Sequence, residues 1–361
     1  MIKNYFWNPM RLYIHIPFCE QKCHYCAFNS FVAPQKLQAP YMDALMVQLR
    51  ELFEKFKPKY LDSIFIGGGT PSCIDWVLYE PLFEFLKPYI DKKSEISIEA
   101  NPKSATSQWL EKMHSFGINR LSLGVQSFND EKLKLLGRNH KGTEAKDAIA
   151  RAKCVGFENI SIDLIYGTCL DSKELLLYDI KQACQFQLKH LSAYTLTLEE
   201  NTPLYTQTHV AQDNLELTHY MRDTLNDNGL AQYEVSNYGT LTCKHNLGYW
   251  NYEPYLGVGC GAVGFDGKSR YRASHNLQTY LKEPCALHVE NLSDDEMLFE
   301  RLFLGLRASV GIKKSLLNNS IHERAKILID EGMLKSSSTH YYAQDFFLAD
   351  EMVLFLLGDG C

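Results

Sequence analysis

The sequence lacks the features that mark several classes of protein. No apolar run approaches the roughly 18 residues that indicate a membrane-spanning helix. Positive charge is not in excess, because 37 Lys and Arg face 43 Asp and Glu, so no basic surface is expected to recruit nucleic acid. Internal repeats and low-complexity linkers are also missing. Residues 1–10 have no continuous apolar core, so we do not expect them to form a signal peptide.

Paired cysteines are a further absence. The 11 cysteines are an odd number, and a chain of 361 residues is long for a disulfide scaffold. We therefore expect a reduced, cytosolic protein. Most of the cysteines outside the cluster described next stand alone in the sequence and are expected to pack as small apolar side chains: Cys73, Cys154, Cys169, Cys184 and Cys285.

Three cysteines do cluster, at Cys19, Cys23 and Cys26, directly after a strand-like segment at residues 12–16. Soft thiolate ligands select zinc, copper(I) or iron–sulfur clusters. A structural zinc site would need a fourth ligand, and His24 is poorly placed because it lies inside the loop. A chance group of buried thiols is a second alternative. The pattern favours a [4Fe–4S] cluster in which three thiolates leave one iron open to bind a ligand, with Tyr25 beside it.

Between residues 12 and 198, apolar strands alternate with segments of helical periodicity. This rhythm predicts right-handed βαβ units and an α/β fold with a parallel sheet, either a partial (β/α)6 barrel or an open doubly wound sheet. The six predicted strands cover residues 12–16, 63–66, 95–100, 120–125, 159–166 and 190–198.

Polar or glycine-rich features follow five of these strands at their carboxyl ends. Parallel α/β sheets bind ligands at that edge, so these features are expected to form a single site. In chain order they are the cysteine loop, the glycines at 67–69, Glu99, Gln126 and Asp163.

The spacing Cys-x3-Cys-x2-Cys resembles the signature of the radical S-adenosylmethionine (SAM) superfamily. That resemblance implies a [4Fe–4S] cluster on Cys19, Cys23 and Cys26, whose open iron binds the amino and carboxylate groups of SAM. Reduction of such a cluster cleaves the sulfonium to a 5′-deoxyadenosyl radical. Residues 67–71 (Gly-Gly-Gly-Thr-Pro) resemble the glycine motif of the superfamily, in which backbone approaches SAM closely. By itself the triplet would equally fit a tight turn.

Further motifs are similar to the oxygen-independent coproporphyrinogen III oxidase group, at residues 13–19, 99–102, 124–128, 136–138 and 163–167. The resemblance implies a set of SAM contacts: Tyr13, Tyr25, Gly68, Gly69, Thr70, Glu99, Gln126, Arg138 and Asp163. Carboxylates can accept from ribose hydroxyls or the amino group, and a guanidinium can pair with the carboxylate. The alternatives are a helix cap or an ion pair for Glu99 and Asp163, and a surface charge for Arg138.

One position separates two branches of this group. The oxidases carry a fourth cysteine two residues after the third, where this sequence has Phe28, and they have a longer arginine-rich N-terminal segment. Both departures resemble the haem chaperones of the group, which carry a His-Asn-x-x-Tyr-Trp motif, here residues 245–250. The motif implies His245 as a haem ligand, since imidazole is a common axial ligand. The alternative is a histidine that hydrogen-bonds between domains. His275 and Cys260 are weaker candidates.

The sequence thus predicts three segments: a radical SAM core at 1–200, an extension at 201–290 with the His-Asn motif, and a winged-helix-like C-terminal domain at 291–361. The resemblance implies a haem chaperone that delivers haem to respiratory proteins from the cytoplasm, with transient contact to the inner membrane. A coproporphyrinogen III dehydrogenase is the alternative, which Phe28 disfavours, and a radical SAM enzyme with another substrate is a third. The haem acceptor and the oligomeric state are left open, a cluster-linked homodimer being one alternative.

Overall fold

The computed structural model describes residues 10–358. Its first half alternates strands with helices, as the apolar periodicity predicts. The six strands are β1 (Met10–Ile16), β2 (Leu61–Gly68), β3 (Glu95–Ala100), β4 (Arg120–Gln126), β5 (Asn159–Tyr166) and β6 (His190–Thr195). The intervening helices are α1 (Gln38–Phe56), α2 (Glu80–Leu86), α3 (Ser107–Ser115), α4 (Asp130–Leu135), α5 (Gly142–Val155) and α6 (Lys173–Cys184).

These six strands pair in parallel and in chain order, from β1 to β6. The sheet does not close, because β1 and β6 each take an outer partner instead of pairing with each other. The predicted α/β fold with a partial (β/α)6 barrel is confirmed. The sixth strand ends at Thr195, three residues earlier than predicted.

Alternating side chains explain how this sheet is covered. Leu12, Ile14 and Ile16 of β1 are fully buried and belong to the main hydrophobic core. The residues between them lie on the opposite face, where Tyr13 and His15 are hydrogen-bonded to each other. The same period of two recurs in β2 to β6, so the concave face of the sheet carries most of the polar groups discussed below.

The next segment widens the sheet to 11 strands. Its elements are α7 (Leu215–Asp227), β7 (Asn237–Gly239), α8 (Lys244–Trp250), β8 (Tyr255–Val258), β9 (Val263–Phe265), β10 (Ser269–Ala273), α9 (Leu277–Lys282) and β11 (Leu287–Asn291). β7 adds to β6 and β8 adds to β1. The His-Asn-x-x-Tyr-Trp motif lies in helix α8, and residues 232 and 234 form isolated bridges before β7.

The C-terminal residues form a small helical module with its own hydrophobic cluster. It contains α10 (Asp294–Leu306), β12 (Ile312–Lys313), α11 (Asn319–Asp330), β13 (Leu334–Ser336), β14 (His340–Ala343) and α12 (Ala349–Leu357). The strands β13 and β14 form the expected wing, earlier in the chain than the predicted 341–348. Domain boundaries at 200 and 290 stay a prediction. Among the helices described between residues 10 and 358, none is long and apolar enough to span a membrane.

Candidate cofactor-binding site

The cysteine loop lies at the carboxyl edge of the sheet and is pinned by backbone hydrogen bonds on both sides. The Cys19 amide donates to the Phe31 carbonyl at 3.0 Å, which closes the loop on itself. On the side of β2, the Thr70 amide donates to the Phe18 carbonyl at 2.7 Å. The loop is therefore a fixed feature of the sheet edge.

A second set of contacts holds the middle of the loop. The His24 amide donates to the Leu136 carbonyl at 3.1 Å, and the His24 carbonyl accepts from the Leu204 amide at 3.1 Å. Leu136 and Leu204 belong to an apolar cluster that also packs against Tyr25. The segment after β6 thus covers one side of the cysteine loop and excludes water there.

All three predicted cluster cysteines are free, half-buried thiols that line one cavity of about 530 Å3. Burial raises the pKa of Cys19 and of Cys26. The other two thiols of the loop add to the shift of Cys19, and Cys23 adds to that of Cys26. Within the part of the chain that the structure describes, no three His, Cys, Asp or Glu side chains come close enough together to hold one metal ion. An iron–sulfur cluster imposes a different requirement, because each thiolate binds a separate iron.

The glycine motif packs tightly against its surroundings. Gly68 has a φ of +114°, and a Cβ placed there would lie 2.4 Å from the ring of His15. A Cβ on Gly69 would lie 2.7 Å from the Phe18 carbonyl oxygen. Larger residues would push the cysteine loop away from β2. The motif therefore has a packing role within the site in addition to exposing its backbone to the cavity.

Two carboxylates face the same cavity from β3 and β5, the strands on either side of β4. The Gly68 amide donates to Glu99 Oε2 at 3.1 Å, and the Ser122 hydroxyl donates to Asp163 Oδ1 at 3.3 Å. Burial, followed by the charge of Asp163, raises the pKa of Glu99 to about 8. Burial also raises the pKa of Asp163. Two partly desolvated carboxyl groups close together favour a cationic ligand between them.

Gln126 has an unusual backbone at the end of β4. Its φ is +66°, in the left-handed region that non-glycine residues rarely occupy, and the β4–β5 register shifts between Leu123 and Gln126. The side chain lines the cavity. A strained conformation is commonly retained where it places a functional group, so this geometry favours a ligand contact.

Arg138 connects the cysteine loop to the sheet. Its Nη1 donates to Cys23 Sγ at 3.1 Å and its Nη2 donates to the Gly124 carbonyl at 2.6 Å. Its Nε is buried and has no hydrogen-bond partner among the described residues. Tyr25 lies beside the guanidinium, and burial raises the pKa of its phenol. The surface-charge alternative for Arg138 is therefore not supported, since the guanidinium is directed into the cavity.

Tyr13 is the one predicted SAM contact that does not line the cavity. Its hydroxyl donates to His15 Nδ1 at 2.9 Å, and His15 Nε2 donates to the Asn29 carbonyl at 2.8 Å. Asn29 belongs to the cysteine loop and donates in turn to the Cys260 carbonyl at 2.9 Å. The structure thus places Tyr13 below the cavity, in a chain of hydrogen bonds that supports the loop.

His245 lies at the opposite edge of the sheet, near the amino end of β2. It is fully buried, and both ring nitrogens have partners at 2.9 Å, the Ser63 and Tyr249 hydroxyls. Burial lowers the pKa of His245 to about 3, helped by the charges of Arg11 and Arg120. The structure does not bring His245 together with the other predicted site residues. The buried thiol of Cys260 donates to the Ser274 carbonyl at 3.2 Å, as its packing alternative requires.

The sequence analysis missed the contribution of the sixth strand to the cavity. The residues at its carboxyl end that line the cavity are Tyr194, Thr195, Leu196, Thr197 and Glu199. Their position after a parallel strand was the available signal. Because the strand was predicted to continue to residue 198, the sequence did not show where its side chains begin to line the cavity.

The carboxyl ends of β4 and β5 are also fixed by a buried ion network that no motif signalled. Lys132 is fully buried, with its Nζ 2.6 Å from Asp171 and 3.6 Å from Asp179. Asp179 accepts from the Phe128 amide at 2.7 Å, and Asp171 from the Thr168 amide at 2.8 Å. The network therefore holds the two loops that follow Gln126 and Tyr166.

Comparison with known proteins agrees with this geometry. A model of the radical SAM superfamily matches residues 13–176. The haem chaperone HemW of Lactococcus lactis is 35% identical over 319 residues, which cover 84% of this chain and 83% of the relative. HemW of Bacillus subtilis is 32% identical and covers 96% of this chain and 99% of the relative. The chain belongs to the HemW family of radical SAM proteins.

The likeness extends to a mouse protein and to a solved structure. A mouse mitochondrial protein named for its radical SAM domain is 34% identical over 83% of this chain and 74% of its own length. The structure of the radical SAM enzyme coproporphyrinogen III oxidase (HemN) from Escherichia coli matches with a TM-score of 0.83, over 98% of this chain and 91% of that one. Its sequence identity is only 21%, so this likeness shows the fold.

Proposed function

We propose that this protein is a haem chaperone, which binds haem and transfers it to haem-dependent proteins. The observation that carries the proposal is the match to HemW proteins along nearly the whole of both chains, at 32% identity and 99% coverage for the Bacillus relative. Such a match includes the C-terminal module as well as the cysteine loop. The whole architecture is therefore shared, not one motif alone.

The residues present fit a [4Fe–4S] cluster with SAM. Three free thiols line one cavity, and a buried guanidinium lies against Cys23, where it can stabilise thiolate charge. Beside them, Glu99 and Asp163 would hold the amino acid and ribose portions of SAM, and the backbone of Gly68 and Gly69 lines the same cavity. When bound, such a cluster supplies an electron to the sulfonium of SAM. The chain's own residues bind and orient the two groups.

Phe28 supports a chaperone over a decarboxylating oxidase. Its side chain is 67% exposed, lines the mouth of the cavity and stands where the oxidase pattern has a fourth cysteine. A phenyl ring offers no thiolate, so the site has only the three cysteines of the loop. The alternative, a coproporphyrinogen III dehydrogenase, keeps the same fold and is separated by assay.

The proposal includes the partners and the location. Haem is cargo, and the acceptors are haem-dependent respiratory proteins, reached from the cytoplasm through transient contact with the inner membrane. The surface carries a net charge of −6, so nucleic acid is not among the proposed partners.

A haem titration of cluster-loaded protein tests the function. We expect saturable binding, seen as a shifted haem absorption band. We also expect the haem to pass to an apo-haemoprotein in the same compartment but not to one behind a dialysis membrane. Free haem with an unrelated protein of similar charge is the control. The same preparation, given SAM, reductant and coproporphyrinogen III, should form no protoporphyrinogen. Product at enzymatic turnover would replace the chaperone proposal by the dehydrogenase.

A further inference from the structure

A second cavity, of about 430 Å3, lies at the edge of the sheet opposite the cysteine loop. It opens between two covers: the segment from α8 to β10 on one side and helix α10 on the other. Six aromatic side chains form most of its walls: Tyr249, Tyr252, Tyr255, Phe265, Phe299 and Phe303. Its size falls in the range of small-molecule sites, about 300–1,000 Å3, and such sites are lined mostly by apolar and aromatic groups.

The aromatic rings on the two sides of the cleft are arranged differently: the pair on α10 is nearly parallel, whereas the facing pairs are inclined by 52° and 76°. On α10, Phe299 and Phe303 are one helical turn apart, with ring centroids separated by 6.0 Å and planes inclined by only 19°. Phe299 remains 39% exposed at the rim. Across the cleft, Tyr252 lies 4.7 Å from Phe265 and Tyr249 lies 4.6 Å from Tyr255. Ring faces exposed to a cleft favour a flat, conjugated ligand.

The charged side chains that line the cleft are Arg270, Glu253 and Glu300. Arg270 forms an ion pair with Glu300, which also accepts from the Tyr252 hydroxyl at 2.6 Å, and Glu253 forms an ion pair with Arg11. Arg301 lies beside the cleft: its guanidinium stacks over the Tyr252 ring, 4.5 Å from the centroid, and has no ion pair within residues 10–358. A carboxylate at the rim of the cleft could bind Arg301 without breaking an existing pair.

His245, the buried histidine of the motif, does not line this cleft but contacts one of its walls. His245 Nε2 is bonded to the Tyr249 hydroxyl at 2.9 Å, and the two rings are perpendicular with centroids 4.9 Å apart. Because Nδ1 is bonded to Ser63, the histidine has no free nitrogen for a ligand. Its contact fixes the Tyr249 ring as a wall of the cleft.

We infer that this aromatic cleft binds a flat tetrapyrrole with carboxylate groups, and that His245 is a positioning residue that acts through Tyr249. The inference rests on the proposed function, which supplies haem as the cargo. Phe299 and Phe303 stack against the ring, and Arg301 binds a carboxylate. No bond between His245 and iron is needed.

Binding of haem and of metal-free protoporphyrin IX to the full-length protein tests the inference. The double variant Phe299→Ser/Phe303→Ser should bind both ligands at least about tenfold more weakly, since it removes both aromatic contacts to the ring. Phe355→Ser is the matched control, because Phe355 lies on α12, outside the cleft, with a similar exposure of 41%. Equal affinity of the double variant and wild type would overturn the inference.

The roles of Arg301 and His245 are tested by separate variants. Arg301→Gln should weaken both ligands several-fold, whereas Arg272→Gln, which changes an exposed arginine outside the cleft, should not. His245→Ala should weaken haem and metal-free protoporphyrin by the same factor. A loss confined to haem would show that His245 binds the iron, and would overturn its positioning role. Circular dichroism and the melting temperature confirm that each variant is folded.

The proposed function and the cleft assignment are contradicted by different results. If wild-type protein binds neither haem nor protoporphyrin, the proposed function and the cleft assignment are both wrong. If wild type binds haem and the double variant binds it equally well, only the cleft is wrong and the chaperone function stands.

Discussion

Two glutamates on strand β3 face opposite ends of the same sheet. Glu95, at the amino end, accepts hydrogen bonds from the Lys244 amide at 3.0 Å and the His245 amide at 3.2 Å, so it caps helix α8. Glu99, at the carboxyl end, accepts one amide bond, from Gly68, and otherwise faces the cavity. Both residues are glutamates on the same face of the same strand, and they differ in what surrounds them.

The surroundings of the two glutamates indicate a structural role for Glu95 and a ligand-binding role for Glu99. A buried carboxylate with several donors stabilises the fold, because its hydrogen bonds replace the lost hydration. A carboxylate that is desolvated and only partly satisfied costs stability, and this cost is retained where a ligand will supply the missing partner. The strained backbone of Gln126 and the unpartnered Nε of Arg138 lie at the same end as Glu99. We therefore propose that Glu99 contributes to SAM binding and that Glu95 stabilises the fold.

The largest effect is expected from the cysteine loop itself. Cys23→Ser should abolish the iron–sulfur cluster, because it removes one of three ligands and the thiol that Arg138 contacts. Iron and acid-labile sulfide in reconstituted protein should fall from roughly four per chain to near zero. Cys154→Ser, at an exposed and isolated cysteine, is the matched control. Full iron content in the Cys23 variant would remove this loop as the cluster site.

Glu95→Gln tests the proposed structural role of Glu95. It replaces a charged helix cap by a neutral one, so we expect the free energy of unfolding to fall by about 1.5–3 kcal/mol. SAM binding by the folded variant should stay within twofold of wild type. Denaturant unfolding and calorimetric titration measure the two quantities. A large loss of SAM affinity without a loss of stability would contradict the division between the two glutamates.

Glu99→Gln tests the proposed role of Glu99 in SAM binding. The amide keeps the size of the side chain but cannot carry the negative charge that a cationic ligand needs. We expect the Kd for SAM to rise at least about tenfold, or about 1.4 kcal/mol, with stability unchanged or increased. Ser97→Ala, on the same strand and outside the cavity, is the control. Wild-type SAM affinity in the Glu99 variant would exclude this carboxylate from the site.

The pH dependence of Glu99 should be the smallest effect. Since its folded pKa is about 8, above the ordinary value of 4.5, the folded protein takes up a proton that the unfolded chain releases. The resulting stability is complete below about pH 4 and is lost as the pH rises through about 8. SAM affinity has the opposite trend and should rise by up to about tenfold between pH 7 and 9. Both slopes should flatten in Glu99→Gln, measured by thermal unfolding and titration.

Much of the fold could be predicted because local patterns determine it. The period of two in β1 to β6 and the helical spacing between them are properties of neighbouring residues. The convergence of Cys19, Glu99 and Asp163 also followed from topology, since the carboxyl ends of parallel strands meet at one edge. Helix α8 was not predicted, because Gly248 and the mixture of polar and aromatic residues obscure its periodicity.

The surroundings of single residues could not be predicted where their partners are distant in the sequence. His245 is predicted to bind haem, and its ring is bonded to Ser63, 182 residues earlier in the chain. Tyr13 is predicted to contact SAM, and its hydroxyl is bonded to His15. Both roles stay predictions. Both residues have chemistry that suits the prediction. Only the fold decides which end of the sheet each side chain reaches.

The bond between Asn29 and the Cys260 carbonyl has a consequence for the order of events during synthesis. It joins residues 231 positions apart, and the contact between His24 and Leu204 spans a further long interval. A ribosome adds about 5–20 residues per second, so the cysteines leave it well before either partner exists. The loop can reach its final form only after residue 260 has emerged. Iron and sulfide should therefore be delivered to a nearly complete chain, by a donor that acts after synthesis of the core.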